Sequence, residues 1–262
     1  MKKPVIVILS ILVGMLIVWF CCRSSDNYRI EEKEKTVLHF GTCADYPPME
    51  YYRDGTLTGF EIELAKCIAE KLGKEITFED MGFSALKIAL EKGFIDAFTA
   101  AFGVTSEGRE KFDFTIPYYV EGLVFLHKKS DPITSFEELS QRKIIYQLSN
   151  QIKKALEENM PRAELISTDR MDMAVEMLKA GHGDCVCIDV FVANAYCEKS
   201  PELTYFVLDN FKVSEGIAIA LPKGSPLKGK IDEVLKELEF SGTLQALRKK
   251  WKLEAEWKLP DE

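Results

Sequence analysis

Histidine is scarce in this chain. His39, His127 and His182 are the only three among 262 residues, and none shows a paired spacing. A histidine-built metal centre therefore lacks its ligands, and a cysteine nucleophile lacks the base that would activate it. Cysteine is irregular as well as sparse. Of seven, five lie in the body, at Cys43, Cys67, Cys185, Cys187 and Cys197, and an odd number without regular spacing excludes a disulfide framework. Cys185 and Cys187 share one face of an expected strand, pair poorly as neighbours, and read as small buried residues. Positive charge is also short. Lysine and arginine number 34 against 42 acids, a formal charge of −8, and Lys2, Lys3 and Arg23 belong to the extreme N-terminus, so the rest is more acidic still. Such a body repels phosphate backbones and speaks against a nucleic-acid partner. No convincing internal repeat is present.

What is there is the composition of an ordinary globular protein, 47% hydrophobic and 29% charged, long enough for two medium lobes. The N-terminus stands apart. Lys2-Lys3 precede an uncharged run over residues 4–22, closed by Arg23. A basic start before an apolar stretch is the pattern of a secretory signal, and the run is also long enough to cross a bilayer once. Cys21 adds a third option, a lipid-modified cysteine, although Phe20 is bulkier than the residues usual before such a site. Lipoprotein, uncleaved anchor and cleaved signal all leave the body outside the cytoplasmic membrane. Residues 1–25 are set aside as this segment, with Cys21 the lipidation candidate.

Beyond it, apolar runs alternate with helical periods. Strands are expected at 37–42, 75–79 and 96–100, and helices at 60–72 and 85–92, stopped by Gly73 and Gly93. Alternation of this kind makes a parallel sheet covered on both faces. An extended segment at 123–127 meets a polar break at 128–132, where the pattern restarts. Ser135-Phe136-Glu137-Glu138 reads as a capping box opening a short helix. Strands follow at 143–147, 165–167, 184–189 and 204–207, with helices at 151–160, 171–180 and 190–198. A strand at 216–221 and two helices split at Gly242 complete the pattern. The division expected is a first lobe of 36–122 plus 214–254, interrupted by a second at 125–210, with two extended strands as a hinge.

The most informative stretch is Gly41-Thr42-Cys43-Ala44-Asp45-Tyr46-Pro47-Pro48-Met49-Glu50. It sets Tyr46 in a loop after a buried strand, where α/β proteins present ligand contacts, beside prolines that restrict its backbone. Tyr46 reads as an aromatic wall for a small molecule. The alternative is a tight turn with a surface tyrosine.

Further landmarks follow in order: Leu57-Thr58-Gly59-Phe60 with Leu64-Ala65; Phe83 with Leu86; Asp96-Ala97; Thr105 with Asp113-Phe114-Thr115 and Pro117-Tyr118-Tyr119; Gly183-Asp184 and Asp189; Gly216-Ile217-Ala218; Ser241-Gly242-Thr243-Leu244; and Lys250-Trp251. On these, residues 37–251 resemble the extracytoplasmic solute-binding proteins, family 3, that feed polar amino acids to ABC importers. The resemblance implies an α/β, two-lobed periplasmic-binding-protein fold of type II, two mixed α/β domains joined by two hinge strands. It implies a monomer that captures a small solute and delivers it to a membrane permease, with no cofactor or metal. It also implies an aromatic pair around the ligand, an arginine and helix N-terminal amides on its carboxylate, and an aspartate on its ammonium. Each charge leaving water needs a hydrogen-bonded opposite.

Tyr46 and Phe83 match the aromatic pair and Asp189 the ammonium partner. Each has a plainer alternative: core packing for Phe83, and an N-cap of the helix from Val190 for Asp189. Thr105 matches, but the arginine expected three residues later is Gly108, and Arg109 comes one further on. Gly108 frees the backbone, which lets Arg109 turn toward the cleft. Ser149-Asn150 stand where the family has Gly-Thr, and either is able to cap the next helix. Ala100 and Gly103 lie at a strand end that often bears hydroxyls, and Cys43 takes the place of a polar residue. The pocket so expected is more apolar than its relatives and favours an amine or cation beside a flat or apolar group. A solute receptor is the leading function. A periplasmic dehydratase of prephenate-like acids on the same fold is a second, against which the missing arginine counts. A membrane-tethered ligand sensor is a third.

Overall fold

The computed structural model describes residues 36–253 except 121, 209, 210 and 212, so residues 1–25 with Cys21 lie outside the described part. The chain runs β1 (Val37–Thr42), β2 (Asp45–Tyr46), β3 (Glu50–Arg53), β4 (Thr56–Thr58), α1 (Phe60–Lys71), β5 (Glu75–Asp80), α2 (Phe83–Glu91), β6 (Ala97–Phe98), α3 (Ser106–Lys111) and β7 (Phe112–Phe114). It continues with β8 (Leu123–Lys128), α4 (Phe136–Leu139), β9 (Lys143–Gln147), α5 (Asn150–Asn159), β10 (Glu164–Thr168), α6 (Met171–Ala180), β11 (Cys185–Asp189), α7 (Val190–Lys199) and β12 (Leu203–Val207). Then come β13 (Ala220–Pro222), α8 (Leu227–Phe240) and α9 (Thr243–Lys250).

Two five-stranded sheets form the two lobes, in the orders β5-β1-β6-β13-β7 and β10-β9-β11-β8-β12, with a small sheet β2-β3-β4 beside the first. In the first, β1 runs parallel to β5 and β6, while β13 is antiparallel to β6 and β7. In the second, β9 runs parallel to β10 and β11, while β8 is antiparallel to β11 and β12. The wholly parallel sheet expected from alternation is thereby corrected to two mixed ones. The reversed strands, β8 and β13, are those the chain enters after each crossing between lobes, so it arrives from the opposite end.

The elements form where side-chain period and stop signals agree. Along α1, Phe60, Leu64 and Ile68 form one buried row and Glu61, Ala65 and Ala69 the next, the i, i+4 spacing of a core-facing stripe. All five residues of β11 are buried, as a strand inside a covered sheet requires. Differences from expectation are local. β6 is only two residues, and the apolar run from Gly216 pairs with loops before β13 begins: Gly216 O accepts from Val104 N and Ala218 N donates to Phe102 O. The helix α3 escapes a periodicity search because Ser-Glu-Gly-Arg-Glu-Lys has no apolar stripe. Its start is set by Thr105, whose hydroxyl accepts from Gly108 N.

The two crossings touch. Ile217 N donates to Tyr119 O at 2.7 Å and Tyr118 N to Ile217 O at 3.0 Å, an antiparallel bridge between segments about a hundred residues apart. Gly216 makes it possible: its φ is +130°, and a Cβ there would stand 2.7 Å from Tyr119 O.

Candidate functional site

The lobes meet around a cavity of about 50 Å³ whose lining comes from both: Tyr46, Phe83, Phe102 and Thr105 on one side, Gln147, Ser149, Gln151 and Asp189 on the other. Larger hollows exist elsewhere, notably an apolar one of about 280 Å³ beside Tyr118, Glu239 and Phe240, but no residue of the second sheet lines it. The small cavity is where the chemistry converges.

Tyr46 ends β2, held by pairing with Glu50 across the small sheet. Its hydroxyl donates to Asp189 Oδ2 at 2.8 Å, a buried bond between residues 143 apart. Asp189 stands at the N-cap position of α7, yet its carboxylate makes no cap bond there. It turns to the cavity instead. Burial, and then the charge of Asp189, push the Tyr119 hydroxyl up to about 12. Phe83 opens α2 and packs edge-on against Phe102, with ring centres 5.6 Å apart.

Polar side chains also tie the lobes together. Gln151 Nε2 donates to Thr105 Oγ1 at 3.0 Å, and Ser149, which caps α5, donates to Gln151 Oε1 at 3.1 Å. Two helices exchange caps. The N-cap positions of α2 and α6 are Gly82 and Arg170, and neither makes a side-chain cap bond. Asp169 Oδ1 of the second lobe accepts from Ser84 N in the first turn of α2 at 2.9 Å, while Asp45 Oδ2 of the first accepts from Met171 N of α6 at 2.6 Å. Carboxylates at helix N-termini meet free amides and the positive end of the dipole. Gly82 leaves room for this, since a Cβ would stand 2.0 Å from Asp169 Oδ2. Arg170 lies within 3.7 Å of Asp45 and 3.6 Å of Asp80. Burial nevertheless pushes the Asp45 carboxyl up to about 6, against the Met171 amide and Arg170.

Of the candidates from sequence, Tyr46, Phe83, Gly103, Thr105, Ser149 and Asp189 are brought together on the cavity wall. Four are not. Arg109 reaches Glu215, Nη2 to Oε2 at 2.6 Å, at the exposed surface, so it does not turn inward. Asn150 Nδ2 donates to Glu107 Oε1 at 3.2 Å, outside the lining. Ala100 is buried with Phe83, Phe98 and Phe102. Cys43 is buried in the same cluster, and its thiol is pushed well up by burial and then by Asp45, the opposite of an activated nucleophile. Sequence reasoning missed Phe102, Gln147 and Gln151. Gln147 ends a strand and Gln151 follows a helix cap, the positions where side chains turn to a cleft. That is the signal that was there to use. Among the described residues no three or more His, Cys, Asp or Glu side chains are grouped as a metal site.

Residues 38–254 match the family model of bacterial extracellular solute-binding proteins, family 3. The arginine-binding extracellular protein ArtP of Bacillus subtilis is 34% identical over 233 residues, covering 88% of this chain and 91% of ArtP. The arginine-, lysine-, histidine-binding protein ArtJ of Geobacillus stearothermophilus superposes with a TM-score of 0.78 at 27% identity, covering 86% of this chain and 96% of that one. An ancestral amino acid-binding protein, AncCDT-1, described as a precursor of cyclohexadienyl dehydratase, has a TM-score of 0.73 at 31% identity, covering 82% and 95%. The family model spans both sheets and both crossings of this chain, and the chain belongs to the bacterial extracellular solute-binding proteins, family 3.

Proposed function

We propose that this chain captures a small amino acid, or an amine resembling one, between its lobes and passes it to the permease of an ABC importer. The observation that carries the reading is the Tyr46–Asp189 bond, which joins an aromatic wall of one lobe to the acid of the other at the edge of a cavity both lobes line. Asp189 meets the ligand's ammonium, and Tyr46 and Phe83 flank its body. Thr105, Ser149 and the backbone at Gly103 supply polar contacts, whereas Arg109, Asn150, Ala100 and Cys43 are outside the contact set. Relatives named for arginine, lysine and histidine support an ammonium-bearing ligand.

A cavity of about 50 Å³ holds a few waters and less than an amino acid, so entry requires the lobes to part about the two crossings. The moving bodies on this reading are 36–122 with 214–254, and 125–210. One chain supplies both walls, so a monomer suffices. The body works outside the cytoplasmic membrane, with residues 1–25 as signal or anchor and Cys21 as the lipid site.

The reading contains no catalytic step. A dehydratase acting on a dicarboxylate needs more than one cation at the site, and among the described residues no lysine or arginine lines the cavity, with Lys87 alone behind its aromatic wall. Prephenate turnover by the purified protein would establish that alternative. The test of the receptor reading is a thermal-shift screen against amino acids, amines and prephenate. A true ligand at a hundredfold its Kd stabilises by about 2.7 kcal/mol. Asp189→Asn is expected to abolish that shift for every amine-bearing ligand, and an unchanged shift in the variant overturns the assignment of Asp189.

A further inference from the structure

The cavity wall raises a question of charge. An amino acid brings a carboxylate, Gly108 has no side chain to meet it, and Arg109 is spent on Glu215. One cation nevertheless stands directly behind the aromatic wall. Lys87 lies one turn along α2 from Phe83, and its ammonium sits 4.6 Å from the centre of the Phe83 ring and 5.5 Å from that of Phe102. Both rings line the cavity.

We propose that Lys87 is the specificity-determining cation of this site, which holds the ligand's carboxylate in place of a residue at position 108. The inference rests on the receptor reading above. Three features carry it. First, the side chain is half-buried and makes no ion pair among the described residues, so its ammonium rests against ring faces, a weaker substitute for a directly paired anion. Second, the charges that face it are committed elsewhere. Glu107 accepts from Asn150 and Asp169 caps α2, while Lys111 repels it. Burial and then Lys111 accordingly pull the Lys87 proton affinity down, against Asp169 and Glu107, which is the state an incoming carboxylate relieves. Third, position 108 is a tight fit for any side chain as its neighbours stand. A Cβ there would lie 3.0 Å from Thr105 Oγ1 and 3.1 Å from Phe114 Cζ, so the wall would have to give way. A lysine has the reach for this role: its four-carbon stem lies along the rings while its head swings to their edge.

Calorimetric titration of the full chain with L-arginine and L-histidine, and with their decarboxylated forms agmatine and histamine, tests this. The wild type is expected to prefer each amino acid over its amine. In Lys87→Met, which keeps an apolar stem against the rings, amino-acid affinity is expected to fall about tenfold or more, the loss of one charge-assisted contact, while amine affinity stays within about threefold. Lys87→Arg is expected to retain the preference. Equal weakening of both ligand classes, or no change in either, overturns the role of Lys87 and leaves the receptor reading intact. Failure of the wild type to prefer either amino acid over its amine overturns the role of Lys87 as well.

Discussion

Asp45 shows at the scale of one residue how this protein balances burial against pairing. Its carboxyl accepts from Met171 N and has Arg170 nearby, yet burial still raises it from 3.8 to about 6. Between those values the folded chain keeps a proton that the unfolded chain has released. The associated stability is therefore fully present below about pH 4 and is lost as pH rises through about 6. Asp45→Asn removes the titration and keeps an oxygen for Met171. Each tenfold change in proton affinity is worth about 1.4 kcal/mol, and roughly two such steps separate the folded carboxyl from the unfolded one. Urea unfolding from pH 4 to 7 is expected to show the variant gaining on the wild type by up to about 3 kcal/mol across that window. Parallel profiles would contradict the account. The neighbouring Glu50 follows the same rule with a like charge added. Glu50, fully buried against Glu61, is pushed well up by burial and by that partner, while Glu61 accepts from Ala101 N and the Tyr118 hydroxyl. Those bonds brace the turn at Ala101, whose φ of 45° is unusual for a residue with a side chain and which lines the cavity.

At the scale of elements, the exchanged caps make two helices sense the approach of the opposite lobe. A helix capped by its own N-cap residue keeps that cap whatever the lobes do. Here α2 gains its cap from Asp169 and α6 from Asp45, so each bond exists only when the lobes are together. Removing one lowers the stability of the closed arrangement and leaves each lobe's own packing alone. Asp169→Ala is expected to weaken ligand binding by about fivefold, the equivalent of a cap worth about 1 kcal/mol, with little change in unfolding midpoint without ligand. Calorimetry with L-arginine beside thermal melts measures both. A large fall in melting temperature with unchanged affinity would show that the bond serves the fold and not closure.

For the whole molecule, the two crossings govern how the lobes move. They lie side by side at Tyr119 and Ile217, and Gly216 allows that contact through a backbone conformation other residues seldom adopt. Gly216→Ala meets both the φ of +130° and a carbonyl 2.7 Å away, and is expected to cost about 1–3 kcal/mol. Denaturant unfolding measures the cost, and small-angle scattering with and without ligand shows whether the substituted crossing still closes. No change in either would mean that the two strands need not touch.

Much of this protein was readable before its fold was seen. Strand β1, helix α6 and the capping box at Ser135 are local features, set by side-chain period and by turn or cap residues a few positions apart, so sequence alone located them. Tyr46 and Asp189 were legible for a related reason, each at the end of a strand in a recognisable landmark. The tertiary structure alone decided that Arg109 turns to Glu215, that Gln151 meets Thr105, that Asp45 and Asp169 each cap a helix of the opposite lobe, and that Lys87 lies over the cavity's aromatic wall. Most of these contacts join residues dozens of positions apart, and all depend on how helices and lobes pack. No periodicity along the chain encodes that packing, because it is settled by the competition of burial and charge when the lobes come together.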